Sequence, residues 1–296
     1  MKKKRMSKVA KKEARVAFAF ILLPIIGFCV FTIGAMIFSF KYSFENYNIF
    51  TGESSFVGWK NYSDLFTNVL FSTSFKNSIK NTVVLLLSIP LSIVMGLMAA
   101  AFVKSGKVKG GKFFQVLYYI PVVSSAVAMN IVWRYIFNNE FGIINLLLGE
   151  KIPWLSDDVL IKVAIIAKNS LNGIGTAMIL YLAAMLNIPK DYYEAAEIDG
   201  ASKIRQFFQI TLPLITPITF YQLITGLIGG FQSYADSQVF GAGVQGSQTI
   251  VYFIWQRGIN QSRYGLASAA SILLALAIMI ITMVQFKVSN KWVYEE

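Results

Sequence analysis

From Val16 to Phe40 the chain runs for 25 residues without one charged side chain. A bilayer core is about 30 Å thick, and about 20 apolar residues in a helix cross it while satisfying their own backbone polar groups. Five further stretches have this character: Asn81 to Val103, Phe113 to Phe137, Val159 to Leu186, Ile210 to Gly230 and Tyr264 to Phe286. Lys162 and Lys168 make the Val159 stretch the least apolar in its first half. With 55% hydrophobic and only 14% charged residues, the composition does not suit a water-soluble surface. A basic tail precedes Val16, as in a signal peptide, but the stretch outruns a usual signal core and lacks a clear small-x-small exit, so it reads as a span. No linker, low-complexity segment or internal repeat divides the chain. The expected fold is an all-α membrane protein with six transmembrane helices.

The distribution of Lys and Arg orients these helices. Eight precede Val16, four lie between Lys104 and Lys112, three between Asn187 and Gln209, and two follow Phe286, giving seventeen on one set of alternating connections. The other set holds nine. Cytoplasmic loops carry the positive excess, so both termini are expected in the cytoplasm. The expected organisation is a basic tail (1–15), a six-helix domain (16–286) with a cytoplasmic loop at 187–210, and a short tail (287–296). The net charge of +12 would suggest nucleic acid in a soluble chain; here it suits an anionic cytoplasmic leaflet, and no nucleic-acid partner is expected.

Several chemistries are excluded. Histidine is absent and cysteine occurs once, at Cys29, which removes a disulfide framework, a Cys/His metal site and a His-based triad. No Asp or Glu lies between the ends of any span, which argues against a carboxylate-based ion-coupled carrier. Lys168 is the one charge well inside a span. It either snorkels or pairs with a group on another subunit, or else faces an aqueous cavity with Asn169, Asn172 and Thr176, since positions 168, 172 and 176 form one helical stripe. Pro24, Pro90, Pro121, Pro213 and Pro217, within or beside the spans, each remove a helical hydrogen bond and predict kinks.

The segment from Asn187 to Pro213, NIPKDYYEAAEIDGASKIRQFFQITLP, is unlike the other connections. Pro189 suits a helix start, and Asp191 and Glu194 favour its positive end. Asp199-Gly200 then interrupts the helix, because glycine readily takes the conformation of a helix stop. A second short helix with Lys203 and Arg205 outward leads through Phe207 and Phe208 into the fifth span. Periodicity alone leaves open a well-capped, solvated loop.

Glu194-Ala195-Ala196, Asp199-Gly200-Ala201, Phe207 or Phe208, Ile210 and Leu212-Pro213 together resemble the EAA loop of binding-protein-dependent ABC importer permeases. FVGWKNYSDLF at Phe56 to Phe66, FGIINLLL at Phe141 to Leu148 and KWVYE at Lys291 to Glu295 resemble the carbohydrate-uptake branch, of the larger maltose-permease type. The resemblance implies a type I importer permease fold in a bacterial cell membrane. Its implied partners are a second homologous permease, two ABC ATPase subunits, an extracytoplasmic solute-binding protein and an oligosaccharide substrate. Glu194 would meet an ATPase arginine, Ala195 and Ala196 would allow close packing in the ATPase cleft, and Gly200, between Asp199 and Ala201, would make the turn. The chain has no G-x-x-x-x-G-K-[ST] phosphate loop, so ATP and magnesium are expected at the ATPases, no cofactor is expected on this chain, and it is not itself an enzyme.

By the same resemblance, the helices flanking the loop line the substrate path. This places Asn169, Asn172, Gly173 and Thr176 on one side, with Thr225 and Gln232 on the other. Two departures stand out: Leu171 occupies a place where an aromatic would stack on a sugar, and Phe240-Gly241-Ala242-Gly243 replaces the usual Gly-Gly-Pro. Lys168 has no counterpart role in the family, and its expected role is counter-charge to a carboxylate- or sulfate-bearing oligosaccharide. Glycerol phosphate or a polyamine is the alternative cargo, and an ion-coupled carrier the alternative machinery.

Overall fold

A computed structural model describes residues 8–49, 51–105, 110–241 and 243–294. Much of the basic tail, part of the connection from Lys104 to Lys112, Ala242 and the last two residues lie outside them. The chain is mostly helical. It opens with α1 (Lys8–Gly27), a π-turn at Phe28–Ile33 and α2 (Gly34–Ser43). A two-stranded antiparallel hairpin, β1 (Glu45–Tyr47) with β2 (Ser54–Phe56), follows in the register Glu45 to Phe56. Then come α3 (Lys60–Thr67), α4 (Val69–Leu85), α5 (Ser88–Lys104), α6 (Gly111–Val123), α7 (Ala126–Ile136), α8 (Ile143–Leu148) and α9 (Leu160–Asn187). The last part holds α10 (Lys190–Ile198), α11 (Lys203–Gln206), α12 (Leu212–Leu214), α13 (Thr216–Phe231), α14 (Ile250–Trp255) and α15 (Tyr264–Ser289).

Among the described residues, four helical runs are long and apolar enough to cross a bilayer: Glu13–Ser43, Val69–Lys104, Leu160–Asn187 and Tyr264–Ser289. The count reaches six if each of two bent pairs is one span. The third expected span is one of these and is not a single rod: α6 and α7 meet at 110°. Pro121 removes a hydrogen bond near the end of α6, and Ser124 then takes extended backbone (ψ 152°). The Ser124 hydroxyl donates to the Ile120 carbonyl at 2.7 Å, satisfying a group the broken helix leaves behind. The fifth is bent by 57° between 203–214 and 216–231. Pro217 has no N–H for the Pro213 carbonyl, and the Thr216 hydroxyl takes it instead at 2.7 Å. Within 69–104, Pro90 likewise leaves the Leu86 carbonyl to the Ile89 N–H at 3.0 Å, where α4 passes into α5.

The bundle is built on α5 and α9, which run in the same direction. The Ser170 hydroxyl bonds the Ser88 carbonyl, Gly173 lies under Ser92, Gly96 lies against Ala177, and the Lys104 ammonium reaches the Met185 carbonyl. In lipid, helices gain little from apolar burial and associate through close packing, which small residues permit. Gly96-x-x-x-Ala100 and Gly173-x-x-x-Ala177 supply that seam. On the other side, Tyr181 donates to Thr219 at 2.8 Å and Lys168 meets Asp236, so α13 runs opposite to α9.

The chain ends fit this frame. Trp292 packs on Phe220 with ring centres 6.0 Å apart, and the Tyr294 N–H donates to the Thr216 hydroxyl at 2.9 Å. The C-terminal segment therefore sits at the start of α13. At the opposite end, Asn61 ties α3 to the carbonyls of Ser43 and Glu45 (2.9 and 3.0 Å). Asn145, 5% exposed, staples the loop around α8: it donates to the carbonyls of Asn139 (2.9 Å) and Ile152 (3.0 Å) and accepts from the Trp154 indole (2.8 Å). Along Glu13–Ser43, no residue of the apolar window is buried within the chain.

Candidate functional site

The segment after α9 folds as the sequence predicts, into two short helices joined by a glycine turn. Pro189 precedes α10 in extended backbone, and Asp191 lies in the first turn, at the positive end of the helix. At its other end the Gly200 N–H bonds the Glu197 carbonyl (3.0 Å) and the Ala201 N–H reaches back to the Ala196 carbonyl (2.8 Å). Gly200 takes a φ of +74°, and no atom lies within 4 Å of where a Cβ would stand. Conformation, not space, demands glycine there. The Ser202 hydroxyl then accepts the Arg205 N–H at 3.3 Å to start α11. Gln206, 3% exposed, donates to the Ala201 carbonyl at 3.2 Å and holds the turn to the bundle.

No residue of α10 is buried. Glu194, Ala195, Asp199 and Gly200 are exposed, while Ala196 and Ala201 are half-buried. Ile198, Ile204 and Phe208 stand 88%, 73% and 60% exposed on the same bracket. Large apolar side chains beside carboxylates at a bundle end have the composition of an interface. Lys203 pairs with Glu197, whose carboxyl is held below its ordinary value by the lysine's hydrogen bond and charge. Both side chains are exposed, so the pair contributes little to stability.

The second region corrects an expectation. Lys168 is 2% exposed and faces no cavity as a free cation; its ammonium donates to a carboxylate oxygen of Asp236 and to the Asn130 side-chain oxygen. Asn169 donates to the other Asp236 oxygen at 2.7 Å, and the Ser233 hydroxyl to the same oxygen at 3.3 Å. Asn172 accepts the Trp133 indole N–H at 2.9 Å. This network ties α7, α9 and the π-turn at Asp236–Phe240 together. The counter-charge for Lys168 thus comes from this chain, and the argument for an acidic cargo from a free Lys168 falls away. Asp236 lies beyond Gly230, outside the fifth span as read from sequence, and the chain folds it back beside α9. One signal pointed to it: Asp236 is the only acid between Asp199 and Glu295.

The other expected path residues differ in their surroundings. Gly173 is packed beneath Ser92, whereas Thr176, Thr225 and Gln232 are exposed. The Thr225 hydroxyl returns to the Tyr221 carbonyl at 2.8 Å. Leu171, where an aromatic was missed, is 41% exposed. Among the described residues no group of three or more Cys, Asp or Glu side chains is placed to hold a metal ion.

Residues 65–293 match the model of the family described as binding-protein-dependent transport system inner membrane component. The chain is 33% identical over 302 residues to the probable ABC transporter permease protein YesP of Bacillus subtilis (strain 168), covering 99% of this chain and 96% of that protein. It is 30% identical to the arabinooligosaccharides transport system permease protein AraP of the same organism, over 90% of this chain and 86% of that one. In fold it is similar to a chain of a bacterial alginate ABC transporter solved in complex with an alginate pentasaccharide-bound periplasmic protein. There the TM-score is 0.79 at 24% identity, covering 95% and 96% of the two chains.

Proposed function

Since the chain belongs to the family of binding-protein-dependent transport system inner membrane components, we propose that it is the membrane-spanning subunit of an ATP-driven importer of oligosaccharides. The observation that carries this reading is the exposed bracket at 187–210, an acidic helix and a glycine turn presented at one end of the bundle with its apolar residues uncovered. Two ATPases serve the paired permeases, this bracket seats in the cleft of one of them, and ATP and magnesium are held by the ATPases rather than by this chain. A second, homologous permease completes the pathway, and an extracytoplasmic binding protein delivers the sugar. Each bent pair counts as one span, which gives six, with both termini and the bracket in the cytoplasm. The docking of the C-terminal segment against the start of α13 and the basic excess on that set of connections both support this orientation.

Mechanism follows from rigidity. α10 is a short rod whose outer face is free, so closure of the ATPases displaces it as a unit and shifts the spans it is attached to. Alternation of access then opens the substrate path past Thr176, Thr225 and Gln232, whose hydroxyl and amide groups exchange hydrogen bonds with sugar hydroxyls. Arabinooligosaccharides, the cargo in AraP's name, are the first candidates. In vesicles holding the full complex, uptake should require both binding protein and ATP and survive collapse of ion gradients; uptake that stops when the gradients collapse would sink the reading. A complex that takes up glycerol phosphate and no oligosaccharide would keep the machinery and replace the cargo.

The bracket has its own test. A non-glycine residue in the left-handed conformation costs about 1–2 kcal/mol, and a β-branched one is worse placed. Gly200→Val should therefore distort the turn and reduce both co-purification with the ATPases and stimulated hydrolysis. Wild-type values for both would remove the bracket from the mechanism.

A further inference from the structure

We propose that the hydroxyl of Tyr193 is the joint through which α10 moves the spanning helices, a positioning role that rests on the bracket's coupling function. Besides the exposed Glu197–Lys203 pair, α10 is tied to the spans through this hydroxyl. It shares a hydrogen bond with the Thr211 hydroxyl at 2.8 Å, at the end of a π-turn (Phe207–Thr211) in the first half of the fifth span. It also accepts from the Lys104 ammonium at 3.2 Å, at the end of α5. Lys104 in turn donates to the Met185 carbonyl at 2.9 Å, near the end of α9, and lies 4.7 Å from the centre of the Tyr193 ring. One phenol thus connects the coupling helix to three spans.

The surroundings favour transmission over mere attachment. Tyr193 is a half-buried side chain on a helix that has no fully buried residue. It borders a cleft of about 400 Å³ lined by Lys104, Met185, Gln206, Phe207 and Thr211, which leaves room on one side for the ring to travel. The lysine bond is charge-assisted and therefore among the stronger kinds, and it is partly shielded from water. Displacement of α10 consequently reaches α5, α9 and the fifth span together.

Tyr193→Phe keeps the ring and its contact with the lysine while removing the hydroxyl. The assembled complex, with Cys29 replaced by alanine, would carry single cysteines at Thr176, Thr225 and Gln232 in turn, and the probe is a membrane-impermeant maleimide. The parent protein should show an ATP-dependent change in labelling rate. In Tyr193→Phe, complex recovered with the ATPases should be unchanged while that ATP-dependent change falls about tenfold, the scale of one lost charge-assisted bond. Thr211→Val, which removes one partner only, should show a smaller fall in the same direction. An unchanged labelling response in both variants overturns the proposal. So does a response that falls only in proportion to complex recovered, since that marks a structural role. If the parent itself shows no ATP-dependent change and Gly200→Val leaves hydrolysis unaltered, the coupling function of the bracket fails, and the joint with it.

Discussion

Asp236→Asn should leave very little correctly folded protein in the membrane. The substitution removes the charge opposite Lys168, whose side chain is 2% exposed and whose other partner is the neutral Asn130. Removing one member of a buried ion pair costs about 3–5 kcal/mol, because the surviving charge is left in a medium that solvates it poorly. Marginal stability of about 5–15 kcal/mol makes that a large fraction of the whole. Lys168→Met should be milder, since the Asp236 carboxylate keeps the Asn169 amide and the Ser233 hydroxyl as donors. The double variant Lys168→Met/Asp236→Leu should recover much of the loss, because apolar replacement of both partners is often neutral. Detergent-solubilised yield and apparent Tm by size-exclusion chromatography would rank the three. A double variant less stable than Asp236→Asn would show that the pair is not what holds this region.

The helix seam gives the next largest effect. At Gly175 an added Cβ would stand 2.0 Å from the Tyr118 carbonyl oxygen, and at Gly96 it would stand 2.3 Å from the Ala177 Cβ and 3.0 Å from a backbone nitrogen. Neither obstruction is the far end of a flexible side chain, so relief requires moving α6 or α5 away from α9. Overpacking of this kind typically costs about 1–3 kcal/mol, and Gly175→Ala and Gly96→Ala should reach the upper part of that range. Gly229 is the control: it lies in α13 with nothing within 4 Å of its Cβ position, and Gly229→Ala should be tolerated. If Gly175→Ala were as stable as Gly229→Ala, the close approach of α6 to α9 would be wrong.

These two predictions concern features that the linear sequence conceals for different reasons. The bracket was legible because its signals are local: a proline and acids at the helix start, then a glycine four residues after Ala196, each fixing backbone within a turn. The apolar stretches were legible because crossing a bilayer is mainly a matter of length. Their interruptions were legible only as prolines. Pro121 marked the weak point of the third stretch, but the 110° turn depends on Ser124 and Ser125 leaving the helical conformation together. The partner of Lys168 was missed because Asp236 is 68 residues away, on a segment whose return beside α9 is decided by tertiary packing. Gly96, Ala100, Gly173 and Ala177 were small residues among many until α5 and α9 were seen side by side. Asn169 and Asn172 stood out in the sequence as polar residues within a span, and were expected on the substrate path. In this structure they bond Asp236 and Trp133.

The same-direction pairing of α5 with α9 also sets a timetable for biogenesis. The Ser88 and Ser170 that meet across the seam are 82 residues apart, and three further helices, α6, α7 and α8, must be laid down between them. At about 5–20 residues per second, α5 resides in the bilayer for several seconds before the surface it fits has been synthesised. Lys168 then waits through another 68 residues for its acid. During that interval the ammonium lacks its carboxylate, and the long lysine stem lets it reach toward the aqueous interface until Asp236 arrives.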